Sequence, residues 1–454
     1  MYYHLLFKIG DDNVSAKIFT SSLNSQFEEK VQDFSLRSPD NSNVIKVFPN
    51  KPKQIINGFG SSFTEGAGVV FNSMTEKTQD ELIDLYFSNQ GSNYNMARMP
   101  IQSCDFSLGN YQYVDSLKDV QSGNFNFNRD DENIIPFIKK ALERNPDIIF
   151  MSSPWSPPSF MKTNNDMNKG GYLKEEYYEA WADIIKAYLD HYLENGIKVQ
   201  KFSVQNEPVA IKQWDSCLYT NYQEAYFAVK VLKKKLANTP HDGMEYYIWD
   251  HDKDGLIEWA DQSFSNEEFR KNIDGVAFHW YTGDHFEQLD YLYRNYPEKD
   301  LLFSEGCVPQ TEGTVENITN HGDVYIHDLI NNFKNGMSSY IDWNILLDSK
   351  GGPNHMGNTC EAPIQYEKET DKLIFNLSYY YIRHFSHFIK KGACVVYSSS
   401  YNQNIEQVAF KNLDESIVLV LYNRSEKEET FRILEGNKEL EMTLKAKEVS
   451  TVIW

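Results

Sequence analysis

Two glutamates each follow a short apolar run: Glu207 in FSVQNEP (202–208) and Glu305 in LLFSEGC (301–307). If both runs are strands, both carboxyl groups stand at strand ends, free of the backbone pattern that precedes them. Two carboxyls can share the work of breaking a glycosidic bond, one protonating the leaving oxygen while the other attacks the sugar or activates water. A single Glu after a strand is ordinarily a solvated loop acid or a helix N-terminal charge. The neighbours sharpen the reading: Asn206 can bond a sugar 2-hydroxyl, and Pro208 stiffens the turn that holds Glu207.

The elements that must position them can be read from periodicity. Strand candidates occur at 55–60, 94–101, 147–152, 199–205, 245–250, 274–279, 300–304 and 338–344, with helical segments between them. In the helix expected over 175–195, Tyr178, Trp181, Ile185, Tyr188 and Tyr192 recur at three or four residues, and Gly196 follows as a C-cap. Another helix starts at Thr75 as N-cap, with Leu82, Leu85 and Tyr86 on one side. Eight βα units imply a (β/α)8 barrel, whose active site is built at the C-terminal ends of the strands. Past about 385 the texture turns to short strands at 394–400, 405–411, 416–422, 428–433 and 439–453. Residues 1–50 also read as strands. The fold class is therefore α/β, a TIM barrel over 51–384, with a β-sandwich formed from 1–50 and 385–454.

Composition narrows the partners. The 454 residues carry a formal net charge of −21, which disfavours nucleic-acid phosphates and anionic membranes and leaves a neutral β-linked sugar as the expected substrate. The run Lys233–Lys235 reads as a solvated helix face. Five scattered cysteines without a CxxC pair read as reduced thiols, and with no basic leader in MYYHLLFKIG they point to the cytoplasm. No apolar run is long enough for stable membrane insertion. HExxH, EF-hand and phosphate-loop patterns are missing, so neither metal nor cofactor is expected; oligomeric state is left open.

Further motifs make the sequence recognisable: INGFGSSFTEGAG (56–68), YNMARMPIQSCDFS (94–107), SSPWSPPSFMKTN (152–164), QWDSCLYT (213–220), FHWY (278–281), IDWN (341–344), GGPNH (351–355) and HFSHFI (384–389). With the two glutamate segments, they resemble glycoside hydrolase family 30, in its glucosylceramidase branch, over nearly the whole chain. The resemblance implies Glu207 as general acid/base and Glu305 as nucleophile, acting by double displacement with retention, their carboxyls about 5–5.5 Å apart. It implies Asp105, Trp155, Trp343, Asn206, Tyr281 and Asn358 as sugar-binding residues, with His279 and Trp214 ranked lower, and Arg98 as support for the nucleophile. Cys307 is expected as a pocket wall. Segments 209–216, 283–288 and 308–324 depart from the branch pattern, on the side where the aglycone sits. A β-xylosidase or β-1,6-glucanase on the same scaffold is the alternative, and a non-catalytic carbohydrate-binding protein the remote one.

Overall fold

The computed structural model describes residues 14–311 and 313–454. The leader reading of MYYHLLFKIG falls outside them. Eight parallel strands close a barrel: β1 (Gly58–Ser62), β2 (Met96–Ile101), β3 (Ile149–Pro154), β4 (Val199–Ser203), β5 (Glu245–Asp252), β6 (Gly275–His279), β7 (Asp300–Glu305) and β8 (Ser339–Asp342). All eight coincide with the apolar runs in the sequence. They are buried on both faces, as parallel strands must be, which is why they read as continuous apolar runs without alternation. Met96, Met151, Tyr247, Ala277, Leu302 and Ile341 from six of these strands pack into one buried cluster. Close strand approach demands Gly60, since a Cβ there would lie 1.9 Å from the Met96 carbonyl oxygen.

The helices begin and end at or within one residue of their predicted caps. The Thr75 hydroxyl accepts the Thr78 N–H and opens the helix Glu76–Phe87, which buries Leu82 and Tyr86. Tyr178–Glu194 buries Trp181, Ile185, Tyr188 and Tyr192; its cap residue is Asn195, with Gly196 one position further on at φ 82°. Gly196 thus supplies the left-handed turn after the helix, while the cap itself falls one residue earlier than read from the sequence.

The second unit comprises the described residues through Lys53 together with Cys394–Trp454, and the barrel unit is Gln54–Ala393. The sequence reading places these divisions after 50 and after 384. Gly392 N–H donates to Ile56 O and Ile56 N–H to Ala393 O, so the segment after 384 is bonded into the barrel unit. In the β unit ten strands are hydrogen-bonded in sequence around one apolar core that includes Ile18, Ile45, Leu419, Ile433, Met442 and Val452. N- and C-terminal strands share it: Ser15–Ser22 pairs antiparallel with Val449–Ile453, and Val44–Lys46 pairs parallel with Arg432–Leu434. The single strand expected over 439–453 is two, Lys438–Leu444 and Val449–Ile453. Lys447, at φ 57°, makes the turn between them, a conformation that a non-glycine residue rarely signals in sequence.

Candidate active site

The strand ends at the C-terminal face are reshaped by bulges and left-handed residues. In the β5–β6 ladder, Ala277 pairs with Trp249 but Phe278 pairs with His251, so Asp250 is squeezed out of register. In the β6–β7 ladder, Phe278 pairs with Phe303 and His279 with Glu305, which displaces Ser304. Such bulges re-aim side chains beside active sites. Asp250 sits at φ 46°, Glu207 at φ 48° and Asn344 at φ 60°, strained values gathered at one end of the barrel. The strain at Glu207 is held by its neighbours: its N–H donates to Asp250 O at 2.9 Å, and Asn206 N–H to Pro154 O at 2.9 Å. The β4 loop is thereby pinned to the ends of β3 and β5.

Arg98 on β2 is the buried hub. Its guanidinium donates to Glu305 Oε2 at 2.7 Å, to Asp250 Oδ2 at 2.8 Å, to Asn206 Oδ1 at 2.8 Å and to Ser153 Oγ at 2.9 Å. The indoles of Trp155 and Trp343, stacked 5.2 Å apart, lie 4.7 and 5.5 Å from its central carbon. A fully buried cation is tolerable only when paired and fully bonded, as Arg98 is. Asp250 opposes the desolvation of its own charge with the Arg98 charge and the His279 bond, and its carboxyl is held well below the usual range.

Both glutamates are buried in one cavity of about 200 Å³, lined also by Asp105, Trp155, Asn206, Trp214, Tyr281, Trp343 and Asn358. The structure thus brings together every predicted sugar-contact residue except His279, which lies beneath Glu207. Tyr281, on the rim, donates its hydroxyl to Glu305 Oε1 at 3.1 Å. Asn358 donates to Asp105 Oδ2 at 2.8 Å. Burial, reinforced by the Glu305 charge, pushes Asp105 up to about 7 against the pull of that bond. Volume alone does not mark this site: a larger depression of about 640 Å³ includes Glu175, Glu179, Tyr222 and Tyr226, but Glu179 there pairs with Lys235 near solvent.

Glu207 is ringed by basic side chains. His279 Nδ1 and His251 Nδ1 each stand 3.8 Å from Oε1, and Lys212 Nζ is 3.0 Å from Oε2. Burial alone would raise the Glu207 carboxyl, yet the adjacent His279 and the Lys212 charge lower it to about 2. His279, although buried, is raised to about 10 by the Glu305 charge, by its bond to Asp250 and by the nearby Glu207 carboxylate. For Glu305 burial pushes upward and the Glu207 charge adds to it, while His279 and Arg98 pull down. The two carboxyls therefore sense one another electrostatically, and whichever ionises makes the other harder to ionise.

Residues 56–389 match the Glycosyl hydrolase family 30 TIM-barrel domain and residues 392–452 the Glycosyl hydrolase family 30 beta sandwich domain. The chain belongs to glycosyl hydrolase family 30. It is 32% identical over 399 residues to the lysosomal acid glucosylceramidase of Mus musculus, covering 84% of this chain and 77% of that protein. An endo-1,6-beta-D-glucanase of Neurospora crassa is 24% identical over 403 residues, covering 84% of this chain and 81% of that protein. Among solved structures, SrfJ from Salmonella typhimurium is 54% identical and superposes with a TM-score of 0.96 over 97% of this chain and 99% of that one.

As a family 30 glycoside hydrolase the protein carries site residues that its sequence did not announce. Asp250 ends the run YYIWD on β5, so the rule that collected Glu207 and Glu305 also applies to it. Lys212 lies in 209–216, a segment that departs from the glucosylceramidase pattern, and lines the cavity beside the predicted Trp214. His251 had no signal beyond adjacency to Asp250. Among the described residues, Glu207, His251 and His279 place metal-ligand atoms within 4.8 Å of one another. The Lys212 ammonium on the same carboxylate opposes a second cation there.

Proposed function

We propose that this family 30 enzyme is a retaining β-glucosidase of the glucosylceramidase type, with Glu305 as nucleophile and Glu207 as general acid/base. The observation that carries this reading is the unequal support of two carboxyls in one cavity. Glu305 is fixed from below by Arg98 and from the rim by Tyr281, an arrangement that suits an anion aimed at an anomeric carbon. Glu207 is bonded only by groups that an entering substrate can displace or that can pass a proton.

In the reaction so read, an incoming aglycone takes the place of Lys212 beside Glu207. Loss of that charge raises the Glu207 carboxyl, which takes up a proton from the adjoining protonated His279 and passes it to the glycosidic oxygen as the bond from C1 to that oxygen breaks and Glu305 attacks C1. Formation of the glycosyl-enzyme neutralises Glu305. Glu207, now an anion, takes a proton from the water that releases the sugar and returns it to His279, so both carboxyls regain their starting states. Asn206, held by Arg98, is placed to bond the 2-hydroxyl, and Asp105 with Trp155 and Trp343 to receive the far side of the ring.

A cavity of about 200 Å³ is below the usual range for drug-sized ligands, roughly 300–1,000 Å³, and favours one sugar ring over a chain. Beside Lys212 on the same loop, Val209 and Ile211 are 46% and 67% exposed, an apolar rim suited to an apolar aglycone. Five unpaired thiols support a reducing, cytoplasmic setting. No helix among the described residues is long and apolar enough to cross a membrane. A panel of nitrophenyl β-glycosides with 1,6-glucan as competitor tests the assignment, with the β-glucoside expected to be cleaved fastest. Preference for the xyloside or for internal glucan bonds rejects the glucosidase reading. Proton NMR of the first-released sugar should show the β anomer, and an α product rejects retention.

A further inference from the structure

Two thiols stand in the wall of the cavity and take no part in the reaction proposed above. Cys307 follows Glu305 by two residues, and Cys360 lies on the loop that carries Asn358. The Cys307 S–H donates to Cys360 Sγ across 3.0 Å, and both are unpaired thiols. Backbone bonds hold them there: Glu361 N–H donates to Val308 O at 2.9 Å, Gln310 N–H to Thr359 O at 3.0 Å, and Cys360 N–H to Gly351 O at 3.1 Å. A disulfide is about 2.05 Å long, so bond formation asks for an approach of roughly 1 Å between segments already laced together.

We propose that Cys307 and Cys360 form an oxidative modification site, a dithiol that peroxide converts to an intramolecular disulfide and that slows turnover in the adjoining pocket. The S–H bond to Cys360, with burial second, pushes the Cys307 thiol well up, so Cys360 is the first nucleophile. Its thiolate, having released a proton to solvent, attacks one peroxide oxygen. The O–O bond breaks, hydroxide leaves and picks up a proton as water, and Cys360 becomes a sulfenic acid. The Cys307 sulfur then attacks Cys360 Sγ, the S–O bond breaks, and a second water departs with the Cys307 proton. Two thiols and one hydrogen peroxide thus become one disulfide and two waters, the sulfurs oxidised and the peroxide reduced.

The consequence for the site follows from its bonds. Cys307 Sγ lies 3.6 Å from the Tyr281 hydroxyl, the same hydroxyl that donates to Glu305 Oε1. Drawing Cys307 toward Cys360 removes a partner of Tyr281 and tethers the Asn358 loop to the segment that follows β7. Both the nucleophile and the Asp105 end of the sugar site are affected.

The functional arm rests on the glucosidase reading; the chemical arm does not. Purified enzyme is treated with hydrogen peroxide, alkylated, digested and analysed by mass spectrometry, in parallel with steady-state kinetics on a nitrophenyl β-glucoside. The expected result is a cross-linked Cys307–Cys360 peptide pair, a fall in kcat/KM of about fivefold or more, and recovery with dithiothreitol. Cys360→Ser should form no cross-link and should keep its own untreated rate after the same exposure. Free thiols at both positions, or sulfinic acid at Cys307 without a cross-link, overturns the site. A cross-link that leaves kcat/KM unchanged overturns its effect on turnover. Because the peptides are scored whatever substrate is cleaved, failure of the substrate assignment is read separately.

Discussion

Removing the cation beside Glu207, the proposed acid/base, should move the alkaline side of the pH profile. Lys212 Nζ stands 3.0 Å from Glu207 Oε2 and also acts on Glu305. It therefore favours the state in which both carboxyls are ionised. The upper limb of kcat/KM reports loss of the last proton from this pair, and that apparent value belongs to the pair and not to either member. Lys212→Gln keeps length and polarity but deletes the charge, so the last proton is held to higher pH. The Lys212 side chain is 31% exposed, so a water-like dielectric sets the lower bound. Coulomb's law at 3.0 Å then gives about 1.4 kcal/mol, which corresponds to about one pH unit. The assay is kcat/KM for a nitrophenyl β-glucoside from acid to alkaline pH at constant ionic strength, for wild type and variant. An upward shift of about one unit in the alkaline limb is expected, shrinking in high salt. A limb that stays in place, or moves down, refutes the claim that Lys212 controls the proton on this pair.

Other outcomes follow from the same geometry. Glu207→Gln should cost about 10²- to 10⁴-fold in kcat/KM on a substrate with a poor leaving group, and much less on one whose leaving group needs no proton, as measured by comparing alkyl and dinitrophenyl β-glucosides. Arg98→Met strips the partner from Asp250 and Glu305 at once, and urea unfolding should show a loss of about 3–5 kcal/mol, the usual cost of orphaning a buried charge. His279 has a folded value raised to about 10, so its contribution to stability is complete below its unfolded value of roughly 6.5 and fades as pH rises through about 10. Thermal unfolding of wild type and His279→Gln should therefore converge as pH climbs across that window, and parallel curves would contradict it.

The barrel was legible because parallel strands covered on both faces must be apolar throughout, and each such run ended in polar or aromatic loop residues. Glu207 and Glu305 were legible for the same reason, as charges placed immediately after those runs. Asp250 obeyed the same rule, but only the β5–β6 bulge shows that it turns inward to Arg98 and His279. A bulge leaves no mark in a run that is apolar throughout. Lys212 was hidden because its loop departs from the resembling branch, and loop conformation depends on bonds such as Tyr219 N–H to Pro208 O that no local propensity encodes. Cys307 read correctly as pocket wall, whereas Cys360 drew no attention because its partner is far away in sequence. The split at Lys447 was missed since a left-handed lysine looks like any other lysine.

The shared sheet of the second unit also dictates an order of events during synthesis. The strand Ser15–Ser22 leaves the ribosome before the whole barrel, while its neighbour Val449–Ile453 leaves only after it. At roughly 5–20 residues per second, the intervening chain takes on the order of 20–90 seconds to appear. The barrel, contiguous in sequence, can close in that interval, whereas the early strands wait with unpaired edges. A nascent chain stalled before residue 449 should accordingly hold a protease-resistant barrel and a protease-sensitive N-terminal segment.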